Sequence, residues 1–427
     1  MTGGNWPWAS GATGETCRWA SEATGVIRVG RIARQEDVAP APTATPRNRI
    51  AAVAPYLLAL SLLARFAVTY LVKNGTNFID LHVYVDGAAT MGDGGLYDFV
   101  YHPAIPPLPL QFTYPPFAGL VFYPLHFLPF PLVGLCWQLG IVAALYGSAV
   151  VALKLLGRAD SRMAMAWTAL AIWCEPMRHV FELGQIGALL MLAVLWAVYS
   201  NRWWVSGLLV GLATGMKLTP AVAGLYLAGA RRWKAVAFSA LVFGATVALS
   251  IAVGGAQARF YFTDLLGNAD RVGVVDTPMN QSLRGVIGYL TGHDTGYGPL
   301  LLVAVVVTAA LSLVAWQRIG ANDPLGRIVV VMIFGLLISP ISWTHHWVWV
   351  LPLVMWLVLG AWRRRTRFVG WAWVVVTYLG SPWVVTFATD KGSLGGRPWY
   401  AELAGSLYVL AAVATLAYLA LVSRRSD

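Results

Sequence analysis

The stretch YLLALSLLARFAVTYLVKNGTNFIDLHVYVDG, residues 56–87, decides the fold. Its first half is almost wholly apolar and long enough for a membrane helix, which needs about 20 such residues. Its second half follows at once with Asp80, His82, Tyr84 and Asp86. In lipid a backbone satisfies its own hydrogen bonds only as a helix or a closed barrel. Apolar runs of this kind recur along the chain and are too long and too uniform for barrel strands. Of the 427 residues 58% are hydrophobic and 11% are charged, with 20 Trp and 43 Gly, whereas an ordinary soluble domain is about 25% charged. The chain therefore reads as an all-α polytopic membrane protein.

Working outward, apolar segments are expected at roughly 50–72, 132–156, 163–177, 184–200, 203–217, 219–230, 234–255, 298–317, 327–341, 345–361, 368–388 and 403–423. The stretch 113–130, TYPPFAGLVFYPLHFLPF, is apolar but broken by four prolines, so it is either a further span or a helix lying along the interface. Basic residues choose between these. With 113–130 not crossing, the clusters around Lys154, Arg202, Arg231, Arg318, Arg363 and Arg424 all fall on one side, the cytosolic one by the positive-inside rule. The expectation is about twelve transmembrane helices with both termini cytosolic. Residues 1–49 read as a disordered cytosolic tail and 50–427 as one transmembrane domain. Its two long outer loops, 73–131 and 256–297, are expected to carry function, with juxtamembrane helices in the first.

The net charge of +11 lies mostly at the membrane flanks, which points to lipid headgroups and membrane lipids as partners rather than nucleic acid. Three cysteines, Cys17, Cys136 and Cys174, lie far apart with no metal-ligand spacing. Neither a metal nor another cofactor is expected.

In this topology five polar clusters meet at the outer face. They are Asp80, His82, Tyr84 and Asp86; CEPMRHVFELGQIG (174–187) with Glu175, Arg178, His179, Glu182 and Gln185; MKLTP (216–220) with Lys217; TPMNQSLRG (277–285) with Asn280, Gln281 and Arg284; and ISPISWTHHWVWVLP (338–352) with His345 and His346. Ionisable groups at membrane depth are costly and mark pathways or sites. Plainer readings exist for each: Asp80 as a helix cap, the histidines as interfacial residues beside an aromatic belt, Lys217 as a snorkelling side chain, and Arg65 as the partner of any outer carboxylate.

The chain has no P-loop and no glycine-rich dinucleotide fingerprint, and an enzyme at this face without them could use a lipid-linked activated donor. A phosphate leaving group needs fixed positive charge, for which Lys217, Arg65, Arg178, His345 and His346 are the candidates. An attacking hydroxyl needs a base, and Asp80 is a carboxylate suited to it. One base without a covalent nucleophile implies single displacement and inversion. Tyr84, His82, Glu175, Gln185, Asn280, Gln281, Trp343 and Trp347 are candidate substrate contacts.

The blocks NFIDLHVYVDGA, FTYPPFAGLVFYPLH, LWAVYSNRWWVSGLLVGLATGMKLTPA, YFTDLLGNADRVG, NQSLRG, SPISWTHHWVW and GRPWY, in order from about residue 50 onward, resemble the polyprenol-phosphate-mannose-dependent α-(1→2)-mannosyltransferases of mycobacterial phosphatidylinositol-mannoside synthesis. The resemblance implies a GT-C-type glycosyltransferase fold with a periplasmic active site. It implies polyprenyl-phosphate mannose as donor, a tetramannosylated phosphatidylinositol mannoside as acceptor, and no metal. The family's essential aspartate falls on Asp80, its histidine on His345 or His346, and its Lys-Leu-Thr-Pro lysine on Lys217. The alternatives are another GT-C enzyme of the same envelope, a lipomannan mannosyl- or arabinosyltransferase, and a lipid or sugar transporter.

Overall fold

A computed structural model describes residues 46–72, 77–103, 109–388 and 398–422. The expected tail therefore lies outside the described residues except at its end, where Pro46–Arg49 already belong to the first helix. The helices in chain order are α1 (Pro46–Leu71), α2 (Ile79–Ala89), α3 (Pro116–Phe122), α4 (Phe130–Leu155), α5 (Ser161–Ala171), α6 (Glu175–Leu183), α7 (Gly187–Tyr199), α8 (Trp203–Met216), α9 (Ala223–Gly229) and α10 (Trp233–Phe260). They continue with α11 (Leu283–Thr291), α12 (Pro299–Ile319), α13 (Pro324–Ile338), α14 (Val350–Leu359), α15 (Arg363–Leu379), α16 (Ser381–Ala388), α17 (Trp399–Gly405) and α18 (Leu407–Leu421). One two-stranded antiparallel ribbon pairs β1 (Val100–Tyr101) with β2 (Leu110–Gln111).

Among the described residues five helices are long and apolar enough to cross a membrane, or up to seven if the bent pairs α6–α7 and α17–α18 each count as one span. Shorter apolar helices at Trp203–Met216, Pro324–Ile338 and Thr344–Leu359 add to the apolar mass. Every stretch expected to span carries helix, but several are too short to cross alone. The stretch 113–130 holds only α3 and a 3-10 turn, Tyr123–Phe127, since its prolines interrupt any longer helix. At α12, Leu302, Val303, Val306 and Val307 point outward uncovered, as do Leu57, Leu60 and Leu63 on α1. Lipid is the solvent that makes such surfaces stable.

Two packing devices position the site. Helix α8 lies tightly on α10, where a Cβ added at Gly211 would come within 2.6 Å of Val242 Cβ and one at Gly215 within 2.6 Å of Thr246 Oγ1. Small residues let helix backbones approach in this way. The second device is the sharp bend of 117° between α6 and α7. Gly184 closes α6 with φ +75°, and its absent side chain makes room for α2, since a Cβ there would sit 2.6 Å from Leu81 Cβ. The bend turns α6 across the end of the bundle, against the start of α2 and the 3-10 turn Thr344–Trp349.

Candidate active site

Asp80 stands in the first turn of α2, where the helix N-terminus favours negative charge. Phe78, just before the helix, takes a left-handed conformation with φ 47° and ψ 28°, unusual for a residue with a bulky side chain. Three contacts hold it there: its N–H donates to the Glu182 carbonyl at 3.1 Å, its ring meets Phe130 edge-on, and its ring lies where Cβ atoms at Gly134 and Gly184 would intrude. A strained backbone beside a carboxylate makes this segment a candidate functional one. Asp80 is half-buried. Burial pushes its carboxyl up to about 6, against the opposing pull of a hydrogen bond from Gln185 and the charge of Lys217.

Three chain segments converge on Asp80. Gln185 sits in the α6–α7 bend. Its Oε1 lies 2.9 Å from the Tyr84 hydroxyl and 3.1 Å from the Tyr114 hydroxyl, and the two phenols are 2.7 Å apart, so one phenol proton bridges the pair and the other is donated to Gln185. Burial raises both phenols well above their ordinary range, so they remain protonated donors. Lys217, just beyond α8, donates to Tyr114 Oη at 3.1 Å and to His346 Nε2 at 3.0 Å. A nitrogen that accepts carries no proton, so His346 is a neutral imidazole that holds Lys217 in place. The ring of His345 stands perpendicular to that of His346 with centroids 4.7 Å apart. Both His345 nitrogens are buried without a hydrogen-bond partner, and a buried polar atom in that condition calls for an explanation. A cavity of about 50 Å³ behind Lys217 and His346, walled by α7 and α13, is far smaller than the roughly 300 Å³ at which small-molecule sites begin.

The other singled-out residues lie elsewhere. Arg65 is buried on α1 and pairs with Glu182 at 2.5 Å, stacked between Trp173 and Phe181. Arg178 is 4.0 Å from the same carboxylate. Glu175 is buried, with Oε1 2.6 Å from His179 Nδ1 and Oε2 accepting from Tyr408 at 2.6 Å. His82 pairs with Asp86 at 2.9 Å and stacks on Phe130. Asn280 and Gln281 are fully buried, and their amides bond main-chain groups. Asn280 bridges Val275, Pro340 and Ser342, while Gln281 ties Pro278 and Gly405 to Tyr408. Trp343 pairs with Asn280 through the backbone, and Trp347 is buried in the core against Trp373. Among the described residues no group of three or more His, Cys, Asp or Glu side chains is placed to hold a metal ion.

Sequence reasoning passed over Tyr114. Its signal was faint: a tyrosine before Pro115 and Pro116, which the prolines hold extended, within a block otherwise read for membrane crossing.

Comparison with known proteins places these residues in context. The model of glycosyltransferase family 87 matches residues 112–340. A Mycolicibacterium smegmatis protein named polyprenol-phosphate-mannose-dependent alpha-(1-2)-phosphatidylinositol pentamannoside mannosyltransferase is 56% identical over 389 residues, covering 90% of this chain and 95% of its own. A Mycobacterium tuberculosis protein of the same name is 53% identical, covering 89% and 90%. A second M. tuberculosis protein, named as the corresponding phosphatidylinositol mannoside mannosyltransferase, is 31% identical over 79% of this chain and 83% of its own. No solved structure matches. On the strength of a family match across more than half its length and of relatives that align almost end to end, the chain belongs to glycosyltransferase family 87.

Proposed function

We propose that this glycosyltransferase moves mannose from polyprenyl-phosphate mannose to a tetramannosylated phosphatidylinositol mannoside. The product is the pentamannoside, joined through an α-(1→2) linkage made with inversion. The relatives' names supply the donor and the acceptor class. The observation that carries the mechanism is the convergence of Asp80 and Lys217 through Gln185 and Tyr114.

The acceptor hydroxyl attacks the anomeric carbon while Asp80 takes its proton. The bond from that carbon to the phosphate oxygen breaks, and its electron pair leaves with polyprenyl phosphate. Lys217 stabilises the charge that develops on the departing oxygen, where fixed cations lower a barrier most. His346 holds Lys217. His345, whose nitrogens are free, is the imidazole that bonds the phosphate, which divides the work between two adjacent histidines. The reaction needs no metal in this scheme.

The wider reading is a GT-C architecture of about twelve crossings in the plasma membrane, with this site periplasmic and both termini cytosolic. The test is purified protein in detergent with defined substrates. Expected is an acceptor with one more hexose, released by an α-(1→2)-mannosidase, and none from a nucleotide sugar alone. A pentose product, direct use of a nucleotide sugar, or substrate movement without a new glycosidic bond contradicts the reading.

A further inference from the structure

Two phenol protons in this site need acceptors. Tyr84 and Tyr114 lie 2.7 Å apart, so one proton is met between them. The other requires a further acceptor. Lys217 brings only donors to Tyr114, which leaves the Gln185 oxygen, 2.9 Å and 3.1 Å from the two hydroxyls. With the amide flipped, one buried phenol would have no acceptor, and a carbonyl would face the Asp80 carboxylate. Both are costly in a buried polar network.

We infer that Gln185 is a positioning residue for Asp80. The hydrogen-bonded pair of Tyr84 and Tyr114 donates its remaining proton to the amide oxygen and thereby turns the Gln185 NH2 group onto the carboxylate. The inference rests on Asp80 being the base. The clamp fixes one carboxylate oxygen by hydrogen bonding and leaves the other for the acceptor hydroxyl. It also favours the ionised form that the reaction uses. Three separated parts of the chain build it: Tyr84 one turn after Asp80 on α2, Tyr114 ahead of α3, and Gln185 in the bend after α6. The titratable and charged groups around Asp80 are Tyr84, Tyr114 and Lys217, with His346 behind Lys217.

The experiment is the pH–rate profile of mannosyl transfer for Gln185→Leu, Tyr84→Phe, Tyr114→Phe and the double phenylalanine variant, with thermal unfolding alongside. Gln185→Leu loses the donor, so its acid limb moves to higher pH by at least about half a unit, kcat falls, and the donor KM stays within about twofold. Each single phenylalanine variant leaves one phenol on the amide oxygen and moves the limb less than half as far. The double variant frees the oxygen and matches Gln185→Leu. An acid limb in Gln185→Leu that coincides with wild type overturns the inference, whatever the phenylalanine variants do. Additive shifts from the two tyrosines also overturn it, since either phenol alone suffices to meet the amide oxygen. Asp80→Asn is the control: if it retains wild-type rate, the assignment of the base fails instead.

Discussion

The pH dependence of the reaction follows from the setting of Asp80 and can be worked through. An ordinary aspartate is ionised down to about pH 4 and would give a flat profile over the workable range. Here burial raises the carboxyl to about 6. A general base acts only when deprotonated. The rate should therefore be about nine tenths of its plateau at pH 7, half at pH 6 and about a tenth at pH 5, falling tenfold per unit beyond. The sign is that of a raised acid: activity is present above the folded-state value and lost as pH falls through it. The assay is initial transfer of radiolabelled mannose from the lipid donor at subsaturating acceptor, which reports the free enzyme. Thermal unfolding at each pH separates inactivation from titration. A rate at pH 5 equal to that at pH 7, with the protein folded at both, would refute the placement of Asp80 as the base in a buried site.

Other outcomes follow from the same geometry. Lys217→Gln should lower kcat by about a hundredfold or more with little change in acceptor KM, because the lost charge acts on the leaving phosphate; steady-state kinetics check this. Arg65→Met removes the cation buried 2.5 Å from Glu182 and should destabilise the protein by about 3 kcal/mol, and Glu182→Gln in the same chain should recover much of it. If Arg65 instead bound the donor phosphate, the donor KM would rise while the thermal midpoint held. Gly184→Ala meets both a positive φ and Leu81 Cβ at 2.6 Å, so it should cost about 1–3 kcal/mol by thermal unfolding and displace the start of α2.

Local sequence reported local structure well. Uniform apolar runs declared helices because composition and period are properties of neighbouring residues, whereas the prolines of 113–130 left two readings open, of which the short helix α3 is what the segment holds. Asp80 and Lys217 were legible as a carboxylate and a cation standing at the ends of apolar runs. What stayed hidden depends on residues distant in sequence. Gln185 and Tyr84 are 101 positions apart, so nothing in either block shows that they bond. Arg65 was legible either as a phosphate-binding cation or as the partner of an outer carboxylate, and only the fold shows that α6 brings Glu182 to it. Asn280 and Gln281 looked like ligand-binding amides, yet their hydrogen bonds go to main-chain groups of the 275–281, 340–342 and 405–409 segments. Apolar runs also do not report the bend at Gly184, which sets α6 at 117° to α7.

The most direct measurement is single-turnover mannosyl transfer by Asp80→Asn with donor and acceptor saturating, beside donor binding measured on the same preparation. The account predicts a fall of about a thousandfold in the transfer rate, within the range for removing a general base, with donor affinity kept. Transfer at the wild-type rate would contradict it.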